Sequence, residues 1–180
     1  MKRITLLPFA VATLAGVVAF TARASRHISE GTTPNFVTQI PPGYRDWRLI
    51  SVAREEGALD DIRAILGNDK AIKAYRDGKL PLPEGAIVAR IAWNLDASQE
   101  NNKVFEEIGG QKVPQSFVAG HPKNGVQFMI KDSKKYASTG GWGYGHFNDG
   151  KPADEAMLKT CYPCHRAIQA RDFVFTRYAP

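Results

Sequence analysis

Cys161-Tyr162-Pro163-Cys164-His165 contains both cysteines of this 180-residue chain, with a histidine directly after the second. Thiols separated by two intervening residues can each form a thioether to one vinyl group of the same porphyrin. The adjoining histidine is then carried beneath the iron as an axial ligand. The pentapeptide therefore points to one covalent haem c per chain, held by Cys161 and Cys164, with His165 on the metal. Two other chemistries use similar residues. A Cys-x-x-Cys redox pair wants a strand-to-helix setting near the start of a βαβ unit, whereas this motif follows an acidic, helix-like stretch near the C-terminus. A structural zinc site wants four ligands, and only His27, His121 and His146 remain to complete one.

The elements that must present this motif read as follows. Pro152 to Thr160 predicts a helix running into it, with Pro152 near the first turn, and Phe173-Val174-Phe175 makes a short apolar ending. Tyr44 to Glu55 reads as a strand. Leu59 to Leu66 fits helical spacing and alternation equally. Asn68 or Asp69 caps a short helix through Tyr75 that Asp77-Gly78 ends. Ala86 to Leu95 is the clearest strand, followed by a polar excursion from Asp96 to Lys112. Further strands are expected at Ser116 to Ala119 and Val126 to Lys131, and a helical turn at Ser133 to Ala137. Gly140 to Gly145 lacks the Lys-Ser/Thr ending of a phosphate loop and reads as a twisted strand packing aromatics. With 16 Gly and 11 Pro spread along the chain, a four-helix bundle is excluded. A β-rich α+β single domain remains.

Lys2 and Arg3 precede an apolar run from Ile4 to Phe20, and Ala22-Arg23-Ala24 presents small residues where a signal peptidase cuts. Residues 1–24 are read as a signal peptide, 25–43 as a loosely structured lead-in and 44–180 as the haem domain. An uncleaved anchor is the alternative. Either way the folded part is expected in the periplasm, where bacterial haem c is attached. The formal net charge of +6 loses Lys2, Arg3 and Arg23 with the leader, which leaves 21 basic against 18 acidic side chains. No basic stripe interleaved with aromatics is present, so no nucleic-acid partner is expected.

Tyr44-Arg45-Asp46-Trp47, Gly67 to Gly85, Glu100 to Phe105, Ser116 to Gly120, Val126 to Met129, Lys131 to Tyr136, Thr139 to Gly143 and Asp172 to Pro180, taken with the haem motif, resemble the cytochrome P-460 family over nearly all of residues 25–180. The resemblance implies a largely antiparallel β-sheet with short helices, often a homodimer, and a haem iron held by His165 with its opposite face open. It implies small nitrogen ligands: members oxidise hydroxylamine, passing electrons to a periplasmic partner, or, in the cytochrome c prime-beta branch, bind nitric oxide and carbon monoxide. The oxidising members carry a lysine joined to the porphyrin edge, following a strand tryptophan. Here Trp93 is followed by Asn94, and neither an asparagine amide nor a protonated arginine is a cross-linking nucleophile. Lys79 and Lys103 are the lysines flanking that strand.

By alternation Arg90, Ala92 and Asn94 share a face. Arg90 and Asn94 are the candidate distal residues, Arg90 as hydrogen-bond donor to a bound ligand and Asn94, as the resemblance implies, to orient it. Arg90 has a competing role as an ion-pair partner, and Asn94 as a strand-ending residue. A six-coordinate electron-transfer cytochrome would need a sixth protein ligand. Met129 reads as core, Met157 lies in the pre-motif helix, and His121 and His146 read as exposed loop histidines. Phe117, Phe128, Trp142 and Phe147 could wall a pocket or pack a core, and Arg171 and Arg177 could pair with propionates or lie on the surface.

Overall fold

Six strands, each hydrogen-bonded to the next in sequence, form one antiparallel sheet in the order β1 to β6: β1 (Arg48–Glu55), β2 (Asp61–Gly67), β3 (Ile87–Ala97), β4 (Ser116–Lys131), β5 (Trp142–Asn148) and β6 (Lys151–Pro152). The computed structural model describes residues 36–109 and 116–179, and all of their side chains except those of 108, 109 and 116–124. The expected leader, His27, most of the lead-in and the side chains of Phe117 and His121 lie outside the described residues. The fold is the expected β-rich α+β class, with four short helices among the described residues: α1 (Asp69–Arg76), α2 (Gln99–Gly109), α3 (Glu155–Lys159) and α4 (Cys161–Arg166).

Register sorts the strand residues onto two faces. Ile65, Arg90, Gln127 and His146 form one cross-strand row, and Gly67, Val88, Met129 and Tyr144 form the next. These rows share a face with Trp142 and Lys131. Over that face pack α1, through Ala71, Ile72 and Ala74, and the C-terminal segment, through Val174. The other face buries Ala89, Ile91, Val126, Phe128 and Phe147 under Val37, Tyr44 and Trp47. Phe36 and Val37, placed by sequence in a loose lead-in, instead run along β5: the Val37 N–H donates to the Tyr144 carbonyl (2.8 Å) and its side chain is buried.

The ambiguous segment is a strand because it lies between β1 and β3 with both faces partly covered, which blurs alternation. Asn68 caps α1, its Oδ1 accepting from the Ala71 N–H (3.0 Å) and from the Ile87 N–H (3.1 Å), so one side chain ties helix to strand. The expected strands at 116–119 and 126–131 are parts of one strand, β4. The polar excursion holds α2, whose first turn receives a bond from the Asn101 N–H to Ser98 Oγ (3.3 Å). Gly143 and Gly145 make β5 the expected aromatic-packing strand: a Cβ on Gly145 would lie 2.8 Å from Val37 Cβ, and Gly143 leaves room for the Tyr136 ring. Pro152 does not open the pre-motif helix. It pairs in β6, and α3 starts three residues later, capped by Asp154, which accepts from the Met157 N–H (2.7 Å).

Candidate functional site

Thr160 separates α3 from α4, and α4 carries the whole motif. Pro163 falls in its first turn, where a missing N–H costs nothing. Cys161 and Cys164 stand three residues apart and His165 four after Cys161, so the two thiols and the imidazole occupy adjoining positions on one helix. Neither cysteine is in a disulfide, and Cys164 is exposed and Cys161 half-buried. Burial holds the Cys161 thiol above its ordinary pKa, with Cys164 adding to the rise.

His165 is oriented by the chain that follows it. Its Nδ1–H donates to the Phe173 carbonyl (2.7 Å), which assigns the proton to Nδ1 and leaves Nε2 as a lone-pair donor. Burial lowers its pKa below that of a free imidazole, and the Phe173 carbonyl partly offsets this. Around the ring stand Tyr144, with centroids 5.0 Å apart, and Phe175, at 5.1 Å and edge-on. Tyr162 lies between Tyr144 and Phe173. Phe175 is 54% exposed and Met157 42%, so apolar surface surrounds the motif.

Arg90 lies on the same face as Tyr144, two strands across the sheet and one row along, about 12 Å by strand geometry. Its Nη2 pairs with Asp61 Oδ2. Asp61 is fully buried and also takes Arg63 through Nε (2.9 Å) and Nη2 (2.7 Å), and Arg63 reaches Glu55 as well. Burial and the neighbouring Arg63 pull the Arg90 pKa down, against the pull of Asp61 and Glu55. Arg90 Nη1 and Tyr144 Oη are buried with no hydrogen-bond partner. Asn94 pairs across from Asp61, on the same face as Arg90, and is exposed.

Other sequence candidates fall elsewhere. His146 is not an exposed loop residue. It is buried in β5, its Nδ1 accepting from Gln127 Nε2 (3.3 Å) and its Nε2–H donating to Asn148 Oδ1 (3.2 Å), so neither nitrogen is spare. Met129 packs on the core as expected. Phe128 and Phe147 lie on the opposite face and wall no pocket beside His165, because the register turns them away. Trp142 is buried on the motif's face. Lys79 and Lys103 are exposed, paired with Asp77 (3.4 Å) and Glu107 (3.9 Å), and are not brought to the motif. Arg171 ties its own segment, donating to the Phe175 carbonyl (3.1 Å), and Arg177 is exposed.

The Asp61–Arg63 pairing and the Phe173 carbonyl were not found from sequence. Charged residues alternating with Ile62 and Ala64 were a signal for the first, and a backbone oxygen leaves none.

With two thiols, a lone-pair nitrogen and two orphaned polar atoms on one apolar-rimmed face, the donor set fits a porphyrin. The Cytochrome P460 family model matches residues 41–176, most of the chain. The chain belongs to the Cytochrome P460 family. As a member it is a haem-iron cytochrome, and the matched span includes β1 to β6, α4 and the Phe173 carbonyl. A comparison with curated proteins finds no match.

Proposed function

We propose that this Cytochrome P460 family member is a periplasmic c-type cytochrome. In this reading Cys161 and Cys164 would supply the thioether sulfurs that hold one haem, His165 Nε2 would bind its iron, and the ligands taken would be small nitrogen species, nitric oxide and hydroxylamine. The observation that carries the reading is the His165 Nδ1–Phe173 carbonyl bond (2.7 Å), because a ligating imidazole is ordinarily fixed through its other nitrogen. When bound, the haem would supply small-ligand binding at iron and one-electron redox chemistry.

The chain's own residues do the rest. Tyr144 and Phe175 hold the His165 ring between them. Asp61 pins Arg90 by one arm and leaves Nη1 to donate, and Asn94 stands on the same face to orient a ligand. Both His146 nitrogens are engaged and Met129 is in the core, which speaks against a six-coordinate electron carrier. Binding is the primary activity in this reading and hydroxylamine oxidation its slower extension. Asn94 offers no cross-linking amine, and Asp61, a buried carboxylate on this face, is already shared by two arginines. A purely gas-binding role is the second reading, favoured by the same two observations. An oxidase role would add a periplasmic electron acceptor, and we assign a second copy of the chain as a structural partner.

The test is titration of the reduced holoprotein with nitric oxide, alongside turnover of hydroxylamine with an added electron acceptor. Expected are a ligand-dependent spectral shift and slow turnover. Rapid turnover with a red-shifted, cross-linked absorption contradicts the reading of Asn94.

A further inference from the structure

The carbonyl that orients His165 is not held by regular secondary structure. Phe173 and the preceding Asp172 both have positive φ, 63° and 52°, in the left-handed region that non-glycine residues enter at a cost and leave unless their surroundings fix them. What fixes them is buried. Asp172 Oδ1 accepts from Lys131 Nζ (2.6 Å) and from Trp142 Nε1 (3.3 Å), and Oδ2 accepts from the Leu82 N–H (2.8 Å). The Lys131 and Asp172 side chains are 8% and 6% exposed. Next along the chain, the Phe173 ring fills the space over Gly140, where a Cβ would collide with it. Three donors from three separate segments thus clamp the residue before the carbonyl, and a glycine slot clamps the side chain of the residue that bears it.

We infer that the Lys131–Asp172 pair is a positioning device for the axial ligand: by holding the strained Asp172-Phe173 turn it keeps the Phe173 carbonyl on His165 Nδ1 and thereby sets how strongly Nε2 donates to iron. This rests on the proposed haem ligation by His165. A carbonyl accepting the Nδ1 proton lends the ring imidazolate character, raises its basicity and favours the ferric state. Release of the turn lengthens that bond, weakens the iron–imidazole bond and raises the reduction potential. A clamp in β4 and β5 therefore acts on iron chemistry without touching the haem motif.

The test compares wild-type holoprotein with Asp172→Asn, and with the neutral pair Lys131→Met/Asp172→Asn, which leaves no lone charge buried should the single variant fail to fold. The readouts are the ferrous iron–histidine stretching frequency and the reduction potential. Both variants are expected to load haem, with the frequency lowered and the potential shifted upward. Haem-loaded variants with wild-type frequency and potential overturn the inference and leave Asp172 a purely structural residue. Wild-type protein matured without bound haem overturns the ligation reading itself, a distinct result visible before any variant is made.

Discussion

Arg90 is the residue on which ligand binding and folding compete most openly. One arm satisfies Asp61, fully buried and shared with Arg63, and the other carries an orphaned donor. Arg90→Lys keeps a charge for Asp61 and removes the second arm. If Nη1 donates to bound ligand, a hydrogen bond from a charged group is lost, about 1.5 kcal/mol or roughly tenfold in affinity. Optical titration with nitric oxide is expected to show that loss with the melting temperature little changed. Unchanged affinity would assign Arg90 to the ion pair alone. At this scale the sequence singled out Cys161, Cys164 and His165 by their spacing, and the structure places all three on α4. The sequence was silent on Phe173, whose contribution is a backbone oxygen, and misleading on His146, since a histidine after a glycine-rich stretch looks like a loop residue until the pairing of β5 with β4 buries it.

Elements with a continuous apolar run or a clear cap were the ones legible in the sequence. β3 announced itself through Ile87, Val88, Ile91 and Trp93, a run that buries both faces of the strand, and α1 through its Asn68 cap. Asn68→Ala is expected to cost about 1 kcal/mol or more, since the same oxygen serves α1 and the Ile87 N–H. Chemical denaturation of the variant checks it, and a loss under a few tenths would mean that the bond to Ile87 is idle. α2 escaped notice because it buries little: Val104 and Phe105 remain 44% and 40% exposed, so no apolar stripe marks it. β5 shows the opposite economy, with glycines cut to fit their neighbours. Gly145→Ala would bring a Cβ to 2.8 Å from Val37 Cβ and 3.0 Å from Phe147 Cε2, and overpacking there is expected to destabilise by about 1–3 kcal/mol. A variant as stable as the parent would show that the Phe36–Val37 segment is not tightly docked.

In the molecule as a whole, one antiparallel sheet separates two jobs. One face carries α4, the C-terminal segment and Arg90, and the other is sealed by residues 36–47 as ordinary core. Connections across the sheet's end include Glu84, whose carboxylate accepts from Ser133 Oγ and from the Ser133 N–H (2.9 Å), and whose pKa is held below the usual value by those two bonds. A carboxylate with a depressed folded pKa stabilises above its unfolded value, about 4.3, and loses that contribution as pH falls through the folded one. Melting curves of Glu84→Gln are therefore expected to lie below wild type near neutral pH and to converge with it below about pH 4. A gap that persists in acid would contradict that assignment. The central claim, that α4 carries a covalently bound haem with His165 as its protein ligand and an open position opposite, is tested most directly by the absorption spectrum of the ligand-free ferrous protein from cells competent in cytochrome maturation. The account predicts a five-coordinate, high-spin spectrum from a pigment that stays on the chain under acid extraction. A colourless protein, or a low-spin spectrum without added ligand, would contradict it.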